Sequence, residues 1–151
     1  MEQAPVLICY DGSDDADRAI ETAADLLGPH RAVVLDIGPE ITAAESLATA
    51  SPVAPGSAFE DLNTADALQR ANAGAERAAH AGFQAEARAE LASPRWAGIV
   101  DVADEIDACV IVIGSRGLNG IREAFKGSFS HEVAAHAGRP VLIVPPPHAH
   151  R

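Results

Sequence analysis

The sequence predicts an α/β fold: a doubly wound, five-stranded parallel sheet with helices on both faces. Short apolar runs alternate with longer segments whose apolar residues recur at helical spacing. One run, ACVIVI at 108–113, is apolar throughout, as expected of a central parallel strand covered on both sides. Gly, Pro, Ser or Asp marks most of the junctions between segments. Such alternation implies right-handed crossovers, which bring the carboxyl ends of the strands to one edge. Ligands of open sheets bind beyond that edge, where the strand order reverses.

The elements follow in order. VLICYDGS at 6–13 is a buried strand that stops at a turn. Ala16, Ile20, Ala23, Ala24 and Leu27 then repeat at helical spacing, with Ser13 as the cap, Asp14, Asp15 and Asp17 in the first turn, and Gly28-Pro29 as the stop. AVVLDI at 32–37 reads as a second buried strand. Residues 38–59 mix Pro, Gly, Ser, Thr and Ala without a firm period, which predicts a loop with room for one short helical turn. A helix is expected from about Asp61 to Ala81, burying Leu62, Ala65, Leu68, Ala75 and Ala79 and ending at Gly82. FQAEARAEL at 83–91 alternates strictly, as an edge strand or one covered on a single side does. Ser93 and Pro94 suit the cap and first position of a helix whose buried stripe is Trp96, Ile99, Val100, Ala103 and Ile106. A last helix spans about Ser128 to Ala137 and stops at Gly138. PVLIV at 140–144 is the final strand, cut off by three prolines. Residues 1–145 are expected to form one domain, and 146–151 a disordered tail.

Bulk composition narrows the function classes. A chain of 151 residues with 48% hydrophobic and 4% aromatic residues builds its core from Val, Ile, Leu and Ala. A net charge of −11 argues against a general nucleic-acid or anionic-membrane binder. No apolar run approaches the ~18 residues of a membrane span, and the N-terminus lacks a basic start followed by an apolar segment, so a cytoplasmic location is expected. Cys9 and Cys109 each sit in an apolar run and are expected in the core rather than in a disulfide or metal site.

The chemistry concentrates in GSRGLNGIREAFKGSFS at 114–130. Glycines lining the start of a helix suit an anion, because free amides and the helix dipole point at it. Arg116, Arg122 and Lys126 against Glu123 make this segment positive within an acidic chain. Arg116, between paired glycines, is the preferred phosphate neighbour. The spacing is G-x2-G-x9-G-S, on Gly114, Gly117, Gly127 and Ser128; neither a P-loop nor G-x-G-x-x-G occurs. Asp11 has two readings: it satisfies turn amides, or it contacts the ligand that the glycine loop holds. His131 and His136 are five apart and His148 and His150 lie in the tail, so no metal site is read from them. Ser128 and Ser130 beside His131 lack a G-x-S-x-G elbow, which speaks against a hydrolase triad.

That glycine spacing, the opening VLICYDGS and the ending GSFSHEVAAHAGRPVLIVP together resemble the universal stress protein family in its nucleotide-binding branch. The resemblance covers nearly the whole chain. It implies a Rossmann-like, adenine nucleotide α-hydrolase-like sheet of order 3-2-1-4-5, usually in a homodimer, binding ATP or AMP at the carboxyl edge. Asp11 and Gly12 would face the ribose or adenine, and the backbone at Ile37 would border the base. Gly114, Gly117, Gly127 and Ser128 would wrap the ribose and phosphates, with Arg116, Phe129 and Ser130 continuing the contact. Mg²⁺ would accompany the triphosphate, held mainly by phosphate and water. The expected role is that of a stress-response regulator with at most weak ATPase activity, dimerising through Val141–Val144. Two alternatives stand: a slow ATP hydrolase or phosphotransferase, and a partner-binding module that needs no nucleotide.

Overall fold

The computed structural model describes residues 2–39, 56–115 and 129–147. Along these the elements are β1 (Val6–Cys9), α1 (Asp14–Leu27), β2 (Arg31–Pro39), α2 (Gly56–Ala81), β3 (Gln84–Ala92), α3 (Arg95–Glu105), β4 (Val110–Gly114), α4 (Phe129–His136) and β5 (Val141–Val144). All strands pair in parallel, in the order β3-β2-β1-β4-β5. The expected sheet is therefore present. Its strand order reverses between β1 and β4, which face each other across the register Val6↔Val110 to Ile8↔Val112.

Two cores result from the alternation of side chains along the strands. Val6, Ile8, Val34 and Val112 turn to one face, under α1 and α2, with Tyr10, Ile20 and Phe83. Leu7, Cys9, Leu35, Ile37, Ile111 and Ile113 turn to the other, under α3 and α4, with Ile99 and Val133. β4 and β1 are buried on both sides, which is why their sequences are almost continuously apolar. β3 is an edge strand, and its alternating pattern is the signature of that position.

Helix α1 begins as predicted. The Ser13 hydroxyl accepts the Ala16 amide at 3.2 Å, and three aspartates occupy the first turn, where free N–H groups favour negative charge. Gly28 ends the helix at φ +70°, its N–H donating to the Ala24 carbonyl at 3.0 Å.

Helix α2 departs from the expectation twice. It starts at Gly56 rather than near Asp61, and its buried stripe is Ala67, Ala71, Gly74 and Ala78. Leu68 is 41% exposed, and Ala65 and Ala79 are exposed as well. The reason is proximity: at Gly74 a Cβ would lie 2.7 Å from the Tyr10 ring and 2.9 Å from Val34. A helix that approaches the sheet so closely must present its smallest residues, which rotates the leucine outward.

Helix α3 starts one position later than expected, with Pro94 as its cap and no side-chain cap bond. It buries Gly98, Ile99, Val102 and Ala103, with Trp96 and Ile106 packed against the core and Val100 at the margin. Cys109 corrects a further expectation. It is exposed, because β4 begins only at Val110 and Cys109 occupies the bend before it, donating its N–H to the Pro5 carbonyl at 2.9 Å. The side chain of Arg139 closes this end of the fold. Its Nη1 donates to the carbonyls of Ala103 (2.9 Å) and Ala108 (2.6 Å), its Nε to Ala137 (3.1 Å), and its Nη2 to the Asp104 carboxylate. One guanidinium thereby ties the end of α3, the approach to β4 and the end of α4 together. Residues 40–55, 116–128 and 148–151 lie outside the described residues, and with them most of the expected 38–59 loop, the start of the last helix at Ser128 and the end of the tail.

Candidate functional site

Where the strand order reverses, β1 and β4 end side by side and open a small cleft lined by Cys9, Asp11, Ser13, Asp15, Ala16, Ile113 and Gly114. Local sequence builds it. The chain leaves β1 through Asp11-Gly12-Ser13, with Gly12 at φ +82°, a conformation that glycine adopts without strain. Asp11 Oδ1 accepts the Ser13 amide at 2.9 Å. Asp11 thus satisfies a turn amide, one of its two readings, and also lines the cleft. On the opposite wall, a Cβ at Gly114 would lie 3.0 Å from the Asp15 carbonyl oxygen. The first turn of α1 rests directly on the end of β4, and a side chain at 114 would push it away.

The other expected residues are distributed as follows. Ile37 lies on the β2 side of β1, paired in register with Glu90, its side chain buried on the α3 face near Gly98. Phe129 and Ser130 form the first turn of α4, and the Phe129 ring packs on the α3/α4 core. Arg116, Gly117, Gly127 and Ser128 lie outside the described residues.

Sequence reasoning did not single out four groups at the same edge. Asp36, 3% exposed in β2, receives the Arg70 Nε–H at 2.7 Å. Burial pushes the Asp36 carboxyl above its ordinary pKa, while the hydrogen bond and charge of Arg70 pull it back. The same hydrogen bond raises the pKa of Arg70. Arg95, at the start of α3, feels Asp36, Asp11 and Arg70, with burial lowering its pKa. Ser115, 4% exposed beside Gly114, has a buried hydroxyl with no hydrogen-bond partner among the described residues. A signal for Asp36 was present in the sequence: it is the one charged residue in AVVLDI, and a charge in a buried strand requires a partner. Nothing in the sequence indicated that the partner would come from residue 70.

Neighbouring groups are held firmly. The Tyr10 hydroxyl donates to Asp17 Oδ1 at 2.7 Å, and Arg77 Nε lies 2.9 Å from the same oxygen. Burial first, then the hydrogen bond and charge of Asp17, push the Tyr10 hydroxyl up to about 12. Burial, helped by the Asp11 charge, also pushes the Cys9 thiol up to about 12, so at neutral pH it is a packing group and not a nucleophile. The edge offers hydrogen-bonding groups around a glycine-lined opening, an arrangement suited to holding a polar ligand.

Comparison with known proteins agrees with this architecture. The universal stress protein family matches residues 4–145. The chain is 31% identical over 144 residues to the universal stress protein YxiE of Bacillus subtilis, covering 92% of this chain and 97% of that one. Among solved structures, a universal stress protein in complex with cAMP superposes with a TM-score of 0.64 at 24% identity, covering 94% of this chain and 98% of the other. The universal stress protein of Archaeoglobus fulgidus in complex with dAMP gives 0.62 at 22% identity, covering 95% and 99%. Parallel sheet order, the family match along nearly all of the sequence and the identity to the Bacillus protein agree: the chain belongs to the universal stress protein family.

Proposed function

We propose that this protein is a cytoplasmic stress-response regulator that binds an adenine nucleotide, ATP or AMP, at the carboxyl edge between β1 and β4. One observation carries the reading: Asp11 and Gly114, chosen from distant parts of the sequence, line one cleft at the place where the strand order reverses. The dAMP and cAMP complexes of structurally similar family members support the ligand class. In this reading Asp11 and Gly12 meet the ribose or base, the Ile37 backbone borders the base, and Gly114 opens the phosphate loop. Arg116, Gly117, Gly127, Ser128, Phe129 and Ser130 continue that loop, as the G-x2-G-x9-G-S spacing implies.

Mg²⁺ would enter with the triphosphate and neutralise its charge. Among the described residues no group of three or more His, Cys, Asp or Glu could hold a metal. Nucleotide occupancy would change what a homodimer, paired through Val141–Val144, presents to its partners. Mass spectrometry of the acid extract of freshly purified protein tests the ligand. An adenine nucleotide, diminished in Asp11→Ala, is expected; an extract without nucleotide, together with no binding of added ATP or AMP in calorimetry, overturns the reading.

A further inference from the structure

We propose that Arg70 is a ligand-binding residue of this crevice, offering its two Nη groups to anionic oxygens of the nucleotide while Asp36 holds it in position; the inference rests on the nucleotide reading above. The pair is asymmetric. The Asp36 side chain is 4% exposed and that of Arg70 46%, so the anchor is buried and the cation reaches the surface. Among the described residues only Nε is engaged, on Asp36 Oδ2 at 2.7 Å, and the two Nη groups have no hydrogen-bond partner there. A guanidinium pinned at one edge keeps a planar pair of donors, the geometry that matches phosphate oxygens.

Its location is equally specific. The stem of Arg70 crosses the β1–α1 turn so closely that a Cβ on Gly12 would lie 3.7 Å from Arg70 Cδ. The charged head therefore stands beside the turn whose next-door residues, Asp11 and Ser13, line the cleft. At the start of α1 Asp15 and Asp17 are paired with Arg18 and Arg77, and Asp11, next to Gly12, would repel an incoming anion without the charge of Arg70 beside it. Burying a carboxylate inside β2 is expensive compared with the valine that fills position 34 on the same face. A buried anchor that fixes the direction of a functional arginine accounts for that cost; a salt bridge serving only to tie α2 to the sheet would be cheaper at the surface.

The test is calorimetric titration of the full chain with AMP and with adenosine, which differ in the anionic group alone. Arg70→Met keeps the stem over Gly12 and removes the donors, Arg70→Lys keeps the charge without the fork, and Asp36→Asn loosens the anchor. Arg70→Met is expected to weaken AMP about tenfold or more and adenosine less than about twofold, since hydrogen bonds to charged groups contribute on that scale. Arg70→Lys should recover part of the loss, and Asp36→Asn should weaken AMP to a lesser degree. Equal weakening of AMP and adenosine, or unchanged AMP affinity in Arg70→Met and Arg70→Lys, overturns the inference alone. Wild-type protein that binds neither compound, nor ATP titrated in the same way, overturns the nucleotide reading itself.

Discussion

Replacing Gly74 by alanine tests how tightly α2 is seated, and through it the support of the β1–α1 turn. The added methyl would lie 2.7 Å from Cγ and Cδ1 of Tyr10 and 2.9 Å from Val34 Cγ1. Those distances are below any real carbon contact, and the atoms belong to a ring and a strand valine, neither of which can swing away. Overpacking of this kind costs about 1–3 kcal/mol. Alanine also gains up to about 1 kcal/mol of helix propensity over glycine. With contacts on two sides, the net loss should be about 1–2 kcal/mol, lowering Tm by about 2–8 °C for a domain of this size. Calorimetric melting measures it. Tyr10 is the single tyrosine of the chain and donates to Asp17, so the near-ultraviolet circular dichroism should change as the ring moves. At an open helical position the same exchange would raise stability, so the sign is decisive. A variant that melts at or above the wild-type temperature would refute the close seating of α2.

Three further outcomes are expected. Ellman's reagent should titrate one thiol in the native protein, the exposed Cys109, and a second only in denaturant, since Cys9 is buried with its thiol pushed up to about 12; two native thiols would contradict the packing of β1. Burial holds the Asp36 carboxyl above its unfolded pKa of about 3.9, so the ionised form is disfavoured in the native state. Wild-type stability should therefore rise relative to Asp36→Asn as pH falls from 7 through the raised pKa, measured by urea denaturation; a relative fall would mean that the attraction of Arg70 outweighs burial. Ile143, 41% exposed on the edge strand β5, should tolerate lysine in the monomer, and the dimer proposed above predicts that wild-type protein sediments as a dimer and Ile143→Lys as a monomer; a wild-type monomer or an unchanged dimer in the variant would reject pairing through Val141–Val144.

The parallel sheet and its elements were legible because their signals are local. VIVI at 110–113 reads as a strand covered on both faces, FQAEARAEL as an edge strand or one covered on a single side, and Ser13 with Asp14, Asp15 and Asp17 as a helix start, and each lies where its pattern puts it. Errors arose where a local pattern met a tertiary distance. Leu68, Ala65 and Ala79, expected to bury α2, are exposed and Gly74 faces the sheet, because the Tyr10 ring leaves no room for anything larger; Ala75 packs against the core as expected. Cys109 looked like part of a strand, yet the chain bends there before β4 begins.

The candidate site divides along the same line. Asp11 and the glycine spacing could be chosen from the sequence, since turn chemistry and glycine are written in single residues. That the backbone of Asp15 comes within 3.0 Å of where a Cβ would sit on Gly114, and that Arg70 reaches over Gly12 to a buried Asp36, could not. Residues 36 and 70 stand on separate elements, and nothing along the chain encodes the distance between them. The sequence by itself determined the order of the elements and pointed to the edge proposed for the ligand, because hydrophobic period and turn residues act over a few positions. Only the tertiary structure decided which charges meet at that edge, because burial in the packed sheet makes an unpaired carboxylate costly and so requires a guanidinium such as that of Arg70 beside it.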